Sequence, residues 1–413
     1  MAASDVRLRL PAGWTFAGLV AGLVLGALLG NSRAAGPVLS VAEPVGTVWI
    51  RALQMTILPL IAALLVTGIA SMVETARAGA MARRTLLTFY ALLAAGTVFA
   101  ALTVPPLLAA FPAPAAAGAA LAGGAAEVQQ IPSIGAFFET LVARNVFAAA
   151  AEDAILPVIG FFAALAVAIT RLPEQERSLL LGFFTALGTA MLILVGWILA
   201  LAPLGVFALA LSVAAQAGGA GIAALGHYIL LVSAVGLAVL IAAYAVAVLA
   251  ARVPLTRFAR AALPAQAVAI STQSSLASLP AMLASCRRLK VRESTADFVL
   301  PLAVAIFRAT SPAMNLAVAI YVAHISGVPL SFGNLTAGVL VALVTTTGSV
   351  GLPGAISFVA SIGPIALAMG VPVAPLGLLV AVEMLPDLMR TVGNVTMNVA
   401  VTAALDRKAG QEG

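Results

Sequence analysis

The chain predicts an all-α integral membrane protein, with about eight crossing helices and two further apolar segments that enter the bilayer without spanning it. Three observations carry that reading. Hydrophobic residues fill 62% of the 413 positions and charged residues only 9%, and the mean hydropathy is +1.13. A water-soluble domain cannot hide that much apolar surface. Apolar runs recur at the length needed to cross roughly 30 Å of hydrocarbon. Arginine and lysine gather in short connecting segments, so the net charge of +6 reads as membrane anchoring and not as a nucleic-acid footprint.

The first run, from Trp14 to Gly30 behind Arg7 and Arg9, has the outline of a signal peptide. Nothing downstream looks like a secreted domain, so it reads as a retained first helix. Further spans lie at 44–73, 85–110, 136–170, 178–214, 222–251, 296–322 and 374–404. Basic clusters punctuate them: Arg77 with Arg83 and Arg84; Arg252, Arg257 and Arg260; Arg287, Arg288, Lys290 and Arg292; Arg407 and Lys408. The positive-inside bias puts these clusters, and both termini, on the cytoplasmic side of a multi-pass protein of the cell's inner membrane. The stretch from Pro105 to Gln130, assigned outside, is free of basic residues. Cys286 is the single cysteine, so no disulfide forms within one chain.

Two apolar segments break the pattern. Residues 262–286 carry Ser271-Thr272-Gln273-Ser274-Ser275 in their middle, and residues 336–370 carry Thr345-Thr346-Thr347-Gly348-Ser349 followed by Gly351-Leu352-Pro353-Gly354. A helix interrupted at mid-depth exposes backbone polar groups that only protein or a lined cavity can satisfy. Basic runs flank the first segment on both sides, so both its ends face the cytoplasm and it enters and leaves without spanning. Paired interruptions of this kind point to re-entrant hairpins around a transporter binding site.

The last span is the most polar. Asp387, Arg390, Thr391, Asn394 and Asn398 recur at helical spacing, so one helix face carries all five. Such a face inside a bilayer marks a pathway or a ligand. Arg390 offers a planar fork for a carboxylate, and Asp387, one turn earlier, suits an ammonium group. Thr391 and Asn394 add neutral hydrogen bonds. The broken helices offer Ser274 and Ser275 at one interruption and the backbone around Leu352, Gly354 and Ile356 at the other. An acidic amino acid satisfies both charges. A neutral amino acid strands Arg390, and a plain C4-dicarboxylate meets Asp387 unless that carboxyl is protonated.

Taken in order, several motifs resemble the dicarboxylate/amino acid:cation symporter family, the glutamate transporter homologues. Met55-Thr56-Ile57-Leu58-Pro59-Leu60 with Val66-Thr67-Gly68-Ile69-Ala70 is similar to the second helix. Ile131-Pro132 and Leu156-Pro157-Val158-Ile159 are similar to the fourth, and Ala202-Pro203-Leu204-Gly205-Val206-Phe207 to the end of the fifth. Ser274-Ser275-Leu276-Ala277-Ser278-Leu279-Pro280 resembles the first hairpin tip, and Gly351-Leu352-Pro353-Gly354-Ala355 the Gly-Val-Pro-Gly-Ala tip of the second. Asp387 through Thr396 matches the Asp-x-x-Arg-Thr-x-x-Asn-x-Thr helix.

The resemblance implies inverted repeats and a scaffold at 14–76 (helices one and two) and 132–215 (helices four and five) that holds a homotrimer. A mobile transport domain comprises 85–110 (helix three) and 219–405 (helix six, the hairpin at 262–286, helix seven, the hairpin at 336–370 and helix eight). It would carry substrate by an elevator movement. The resemblance assigns the substrate amino group to Asp387, its side-chain carboxylate to Arg390, and its main-chain carboxylate to Asn394 and Ser275. Ser311 stands where the family usually has threonine.

The chain departs from that pattern at its cation positions. Where the family has Asn-Met-Asp-Gly-Thr, this sequence has Phe307-Arg308-Ala309-Thr310-Ser311. Asn398 replaces an aspartate, and Leu93 and Ala94 replace hydroxyl positions near Tyr90. Sodium needs hard oxygen ligands, so side-chain sodium sites are not expected; a site of backbone carbonyls around Thr346, Thr347 and Ser349 stays open. Arg308, expected in mid-helix at a cost of about 2.5–3.5 kcal/mol, reads as a tethered cation in place of sodium. Glu383, four residues before Asp387, is the candidate proton carrier, and His227 and His324 read as capping or loop residues. No cofactor is expected. The reading is a symporter of aspartate or glutamate, proton-coupled or uncoupled. The alternatives are a C4-dicarboxylate or neutral amino acid carrier, or sodium coupling through the residual site. An enzyme is not expected, for want of a nucleophile–base pair or a ligand-spaced cluster.

Overall fold

The structure, a computed structural model, describes residues 12–30, 32, 35–77, 79–114, 142–152, 155–217, 219–348 and 354–409. All regular structure among them is helical. In chain order the helices are α1 (Ala12–Leu29), α2 (Ala35–Arg77), α3 (Ala80–Ala110), α4 (Val146–Ala151), α5 (Ile155–Ile169), α6 (Glu174–Ala200), α7 (Ala202–Ala217) and α8 (Gly219–Leu249). They continue as α9 (Leu255–Thr272), α10 (Leu279–Arg288), α11 (Glu293–Ile306), α12 (Ser311–Ile325), α13 (Phe332–Gly348), α14 (Gly354–Ala368), α15 (Leu376–Leu379) and α16 (Met384–Ala409).

Among the described residues, five stretches are long and apolar enough to cross a membrane: Ala35–Thr75, Ala80–Ala110, Glu174–Ala200, Ala223–Leu249 and Glu293–Ile325. Shorter apolar helices cover Gly13–Leu29, Pro157–Ile169, Ala202–Ala215 and Phe332–Thr346. Large side chains such as Trp14, Met55, Leu87, Trp197 and Leu230 stand exposed, a surface suited to lipid and not to water.

Two packing groups position the site. In the first, α1 lies along α7, while α2 packs on α5, α6 and α7. In the second, α16 is surrounded by α8, α9, α10 and α11, and α12 packs against α3, α8, α13 and α14. Helix α2 also touches α13 and α14.

The α1–α7 contact rests on glycine at every fourth position. A Cβ built on Gly18, Gly22, Gly26 or Gly30 would lie 2.5, 2.5, 2.4 or 2.9 Å from the carbonyl oxygens of Pro203, Phe207, Leu211 and Ala215, respectively. With no hydrophobic drive between helices in lipid, this close backbone approach is what holds such a pair together.

Several spans that the sequence presents as continuous are divided. The span expected at 178–214 breaks at Leu201 into α6 and α7, just before Pro203, which cannot donate to a helix already in progress. The span at 296–322 breaks between Ile306 and Ser311, with Pro312 in the first turn of α12. Arg308 therefore sits in a non-helical break and not in mid-helix, which corrects the expectation above. Phe307, at the break, stacks on Phe89 of α3 with centroids 4.2 Å apart. The last span divides again between α15 and α16, and Glu383 occupies the intervening turn, its carbonyl accepting from the Asp387 amide at 2.9 Å. The interruption expected near Ser271–Ser275 falls between α9 and α10, where Gln273 takes a left-handed conformation (φ 50°) and its N–H caps the Ala269 carbonyl. Helices α13 and α14 pack together, and the Asn334 amide donates to the Met369 carbonyl at 2.8 Å across their outer ends.

Gly22→Leu should lower the detergent-solubilised melting temperature measurably, since forcing extra carbons into a filled contact costs about 1–3 kcal/mol. Gly182→Leu, whose Cβ meets nothing within 4 Å, should leave it unchanged.

Candidate functional site

Arg390 is the centre of the site, almost wholly buried at 4% exposure on the second turn of α16. Three groups hold its guanidinium. Nη2 donates to Glu383 Oε1 at 2.6 Å, Nη1 donates to Asn315 Oδ1 at 2.7 Å, and Nε lies 3.2 Å from Asp387 Oδ1. The other oxygen of Glu383 accepts from the Tyr228 hydroxyl at 3.0 Å. Glu383, Asp387 and Asn315 are as buried as the arginine. Helices α8, α12 and α16 therefore converge on one charged group.

One turn further along α16, Asn394 Oδ1 accepts from both the backbone N–H and the hydroxyl of Thr310, each at 2.9 Å. The same hydroxyl lies 3.0 Å from the Arg390 carbonyl. These bonds fasten the break after α11 to the α16 turn that carries Arg390. The break needs them, because a non-helical backbone inside a bilayer has no water to satisfy its polar groups. Arg308, half-buried in the same break, lies within electrostatic range of Asp387 and Arg390.

The structure thus brings together Glu383, Asp387, Arg390 and Asn394, with Arg308 beside them. Thr391 is buried on α16, and Ser311 is buried at the start of α12 with its hydroxyl unpartnered. Asn398 is buried too; its Nδ2 faces the Met282 sulfur at 3.9 Å, and its Oδ1 has no partner. Ser274 and Ser275 lie half-buried in the turn between α9 and α10. There Ser274 Oγ accepts from the Ala277 amide at 3.2 Å, so this hydroxyl bonds within its own turn and not to the arginine cluster. Gly354 begins α14, whereas Leu352 and the Ile356 side chain lie outside the described residues, as does Ser349. Thr346 donates to the Ala342 carbonyl at 2.7 Å within its own helix. His227 bridges α8 to the end of α3, with Nε2 3.0 Å from the Phe111 carbonyl. His324 lies in the last turn of α12.

Asn315, Tyr228 and Thr310 were not singled out from the sequence as site residues. Asn315 is the one amide in α12, and an amide within a membrane span is a signal in its own right. Tyr228, 155 residues from Glu383 in sequence, offers no comparable signal.

The chemistry is that of a buried cation poised between internal carboxylates, in a helix bundle that crosses the membrane several times. A charged cluster at this depth is what a membrane transport protein needs to hold a charged ligand. The sequence signature of the sodium:dicarboxylate symporter family matches residues 12–408, and the chain belongs to that family, one of transporters and not of enzymes. It is 25% identical over 394 residues to a proton/sodium-glutamate symport protein of Bacillus subtilis (strain 168), covering 94% of this chain and 91% of that protein. It is 27% identical over 400 residues to C4-dicarboxylate transport protein 1 of Pseudomonas aeruginosa (strain UCBPP-PA14), covering 95% and 87%. It is 26% identical over 395 residues to the proton/glutamate-aspartate symporter of Escherichia coli (strain K12), covering 92% and 88%.

Arg390→Leu should strand two buried carboxylates and cost about 3–5 kcal/mol of stability. Adding Glu383→Gln and Asp387→Asn should recover most of that loss. A triple variant melting no higher than the single would contradict the ion-cluster description.

Proposed function

We propose that the chain is a symporter of acidic amino acids, aspartate or glutamate, in the inner membrane, working without sodium. The observation that carries the reading is the occupancy of Arg390 by Glu383 and Asp387. The two carboxylates satisfy the guanidinium. An incoming side-chain carboxylate presents the same chemistry as Glu383 and competes for the same donors. The substrate ammonium then takes Asp387, which Arg390 relinquishes. Asn394, Thr391, Ser275, Ser274 and Ser311 supply hydroxyl and amide groups for the main-chain carboxylate. Leu352, Gly354 and Ile356 supply backbone groups from the second hairpin.

Charge balance supports coupling to protons. Arg308 and Arg390 offset Glu383 and Asp387, two positive charges against two negative. An acidic amino acid adds one net negative charge, and a buried uncompensated charge is costly. The displaced Glu383, cut off from Arg390, is the group placed to take up a proton and restore neutrality. Arg308 acts as the tethered cation that sodium replaces in relatives. Asn398, with its oxygen unpartnered, stands where an anionic ligand would be needed. Elevator movement of residues 85–110 and 219–405 against a trimeric scaffold of 14–76 and 132–215, with α9–α10 and α13–α14 as re-entrant hairpins, completes the reading.

A second reading, a C4-dicarboxylate carrier, is favoured by one observation. Arg308 and Arg390 are two cations near one site, matched in number to two carboxylates, and Asp387 is already engaged by Arg390.

The test is uptake into liposomes holding the purified protein. An inward proton gradient in sodium-free choline medium should drive accumulation of labelled aspartate, and excess succinate should compete weakly. A sodium gradient at equal pH should drive none. Glu383→Gln should lose the proton-driven accumulation while retaining aspartate exchange. Uptake that requires sodium would overturn the coupling, and stronger competition by succinate than by glutamate would select the second reading.

A further inference from the structure

We propose that the helix pair α9–α10 holds a binding site for a phosphate oxyanion, at the end opposite its Ser274–Ser278 turn. Thr256, Arg257, Arg260, Ala261 and Arg288 line a cavity of about 330 Å³. Three arginines and no carboxylate residue line this space. Arginine forks match phosphate oxygens bidentately, so the lining suits that anion better than a lone chloride.

Three other arginines of the same rim are satisfied differently. Arg287 pairs with Glu293 at 3.2 Å, Arg292 pairs with Asp406 at 2.8 Å, and Arg407 donates to the Ala250 carbonyl at 2.8 Å. Neither Arg260 nor Arg288 has a carboxylate within bridging distance among the described residues, and Arg257 reaches only the Leu289 carbonyl at 3.5 Å. General membrane anchoring accounts for exposed arginines scattered along a rim. It does not by itself account for three that line one space. Arg257 also sits in the first turn of α9, where the helix dipole disfavours a cation, so its position there does nothing for the helix.

The surface beside the cavity indicates the source of the anion. Leu255, Leu263 and Ile270 are exposed on α9. At 3.6 residues per turn they fall within about 80° of one another, and Arg260 lies roughly 60° further round. Arg260 thus borders an apolar stripe, the arrangement that a phospholipid meets with headgroup and acyl chain together. A free phosphate would use the cavity alone.

Native mass spectrometry of the full-length protein separates these sources, with phosphatidylglycerol, phosphatidylcholine and inorganic phosphate as probes. Phosphatidylglycerol should be retained and phosphatidylcholine lost. The Arg257→Gln, Arg260→Gln, Arg288→Gln triple variant should bind phosphatidylglycerol about ten-fold or more weakly, as expected for lost charge-assisted bonds. Arg287→Gln, which removes a paired arginine, should bind normally. Stabilisation by inorganic phosphate without any lipid preference keeps the site and assigns it to the free ion. Equal retention of both lipids with no response to phosphate overturns the proposal, as does a triple variant that binds like the parent. Should the triple variant fail to insert, the lipid preference of the unmodified protein and of Arg288→Gln decides the matter. Transport is not read in any arm, so the result stands apart from the function proposed above.

Discussion

A guanidinium cannot remain ionised and unpaired in a membrane interior, and the architecture around Arg390 answers that constraint. Its three contacts come from the turn before α16, from α16 itself and from α12, while Tyr228 of α8 holds the far side of Glu383. Breaking such a buried ion pair by removing one partner costs on the order of 3–5 kcal/mol. The helices that supply the partners are therefore held in register by the charge they neutralise. On the function proposed above, a ligand that replaces one internal carboxylate leaves the guanidinium satisfied while freeing the displaced group.

The broken backbones belong to this arrangement. The break at Phe307–Thr310 brings an amide and a hydroxyl to Asn394, one turn from Arg390. The turn at Glu383 lets a carboxylate fold back onto the arginine seven residues later. The Asp387 amide donates to the Glu383 carbonyl at 2.9 Å, so Glu383 caps α16. It lies about two turns, roughly 10 Å along the axis, from Arg390 on the same face; the two long side chains close that gap. Close packing elsewhere, above all the glycine ladder of α1 on α7, needs no polar group.

Much of this was legible in the sequence. The helical class follows from composition, and the charged face of α16 follows from the spacing of Asp387, Arg390 and Asn394. The polar interruption after Ser271 marks where α9 ends. Other features were hidden for physical reasons. The helix break at Phe307–Thr310 was signalled only by Arg308, which reads equally as a charge carried within a continuous helix, and by Pro312, which hints at a restart. The carboxylate–arginine pairing of Glu383 could not be told from a free proton carrier, since helical spacing places it near both Asp387 and Arg390. Tyr228 and Asn315 join the site through tertiary packing across more than 70 residues of chain, which no local pattern encodes. The α1–α7 glycine ladder was present as a four-residue repeat, but its partner helix was not.

The central claim is that Arg390 passes from an internal carboxylate to that of the substrate. An experimental structure of the protein with bound aspartate tests it most directly. The account predicts that the aspartate side-chain carboxylate lies within hydrogen-bonding distance of the Arg390 guanidinium, with Glu383 withdrawn from it. Aspartate bound elsewhere, with the Glu383–Arg390 pair intact, would contradict it.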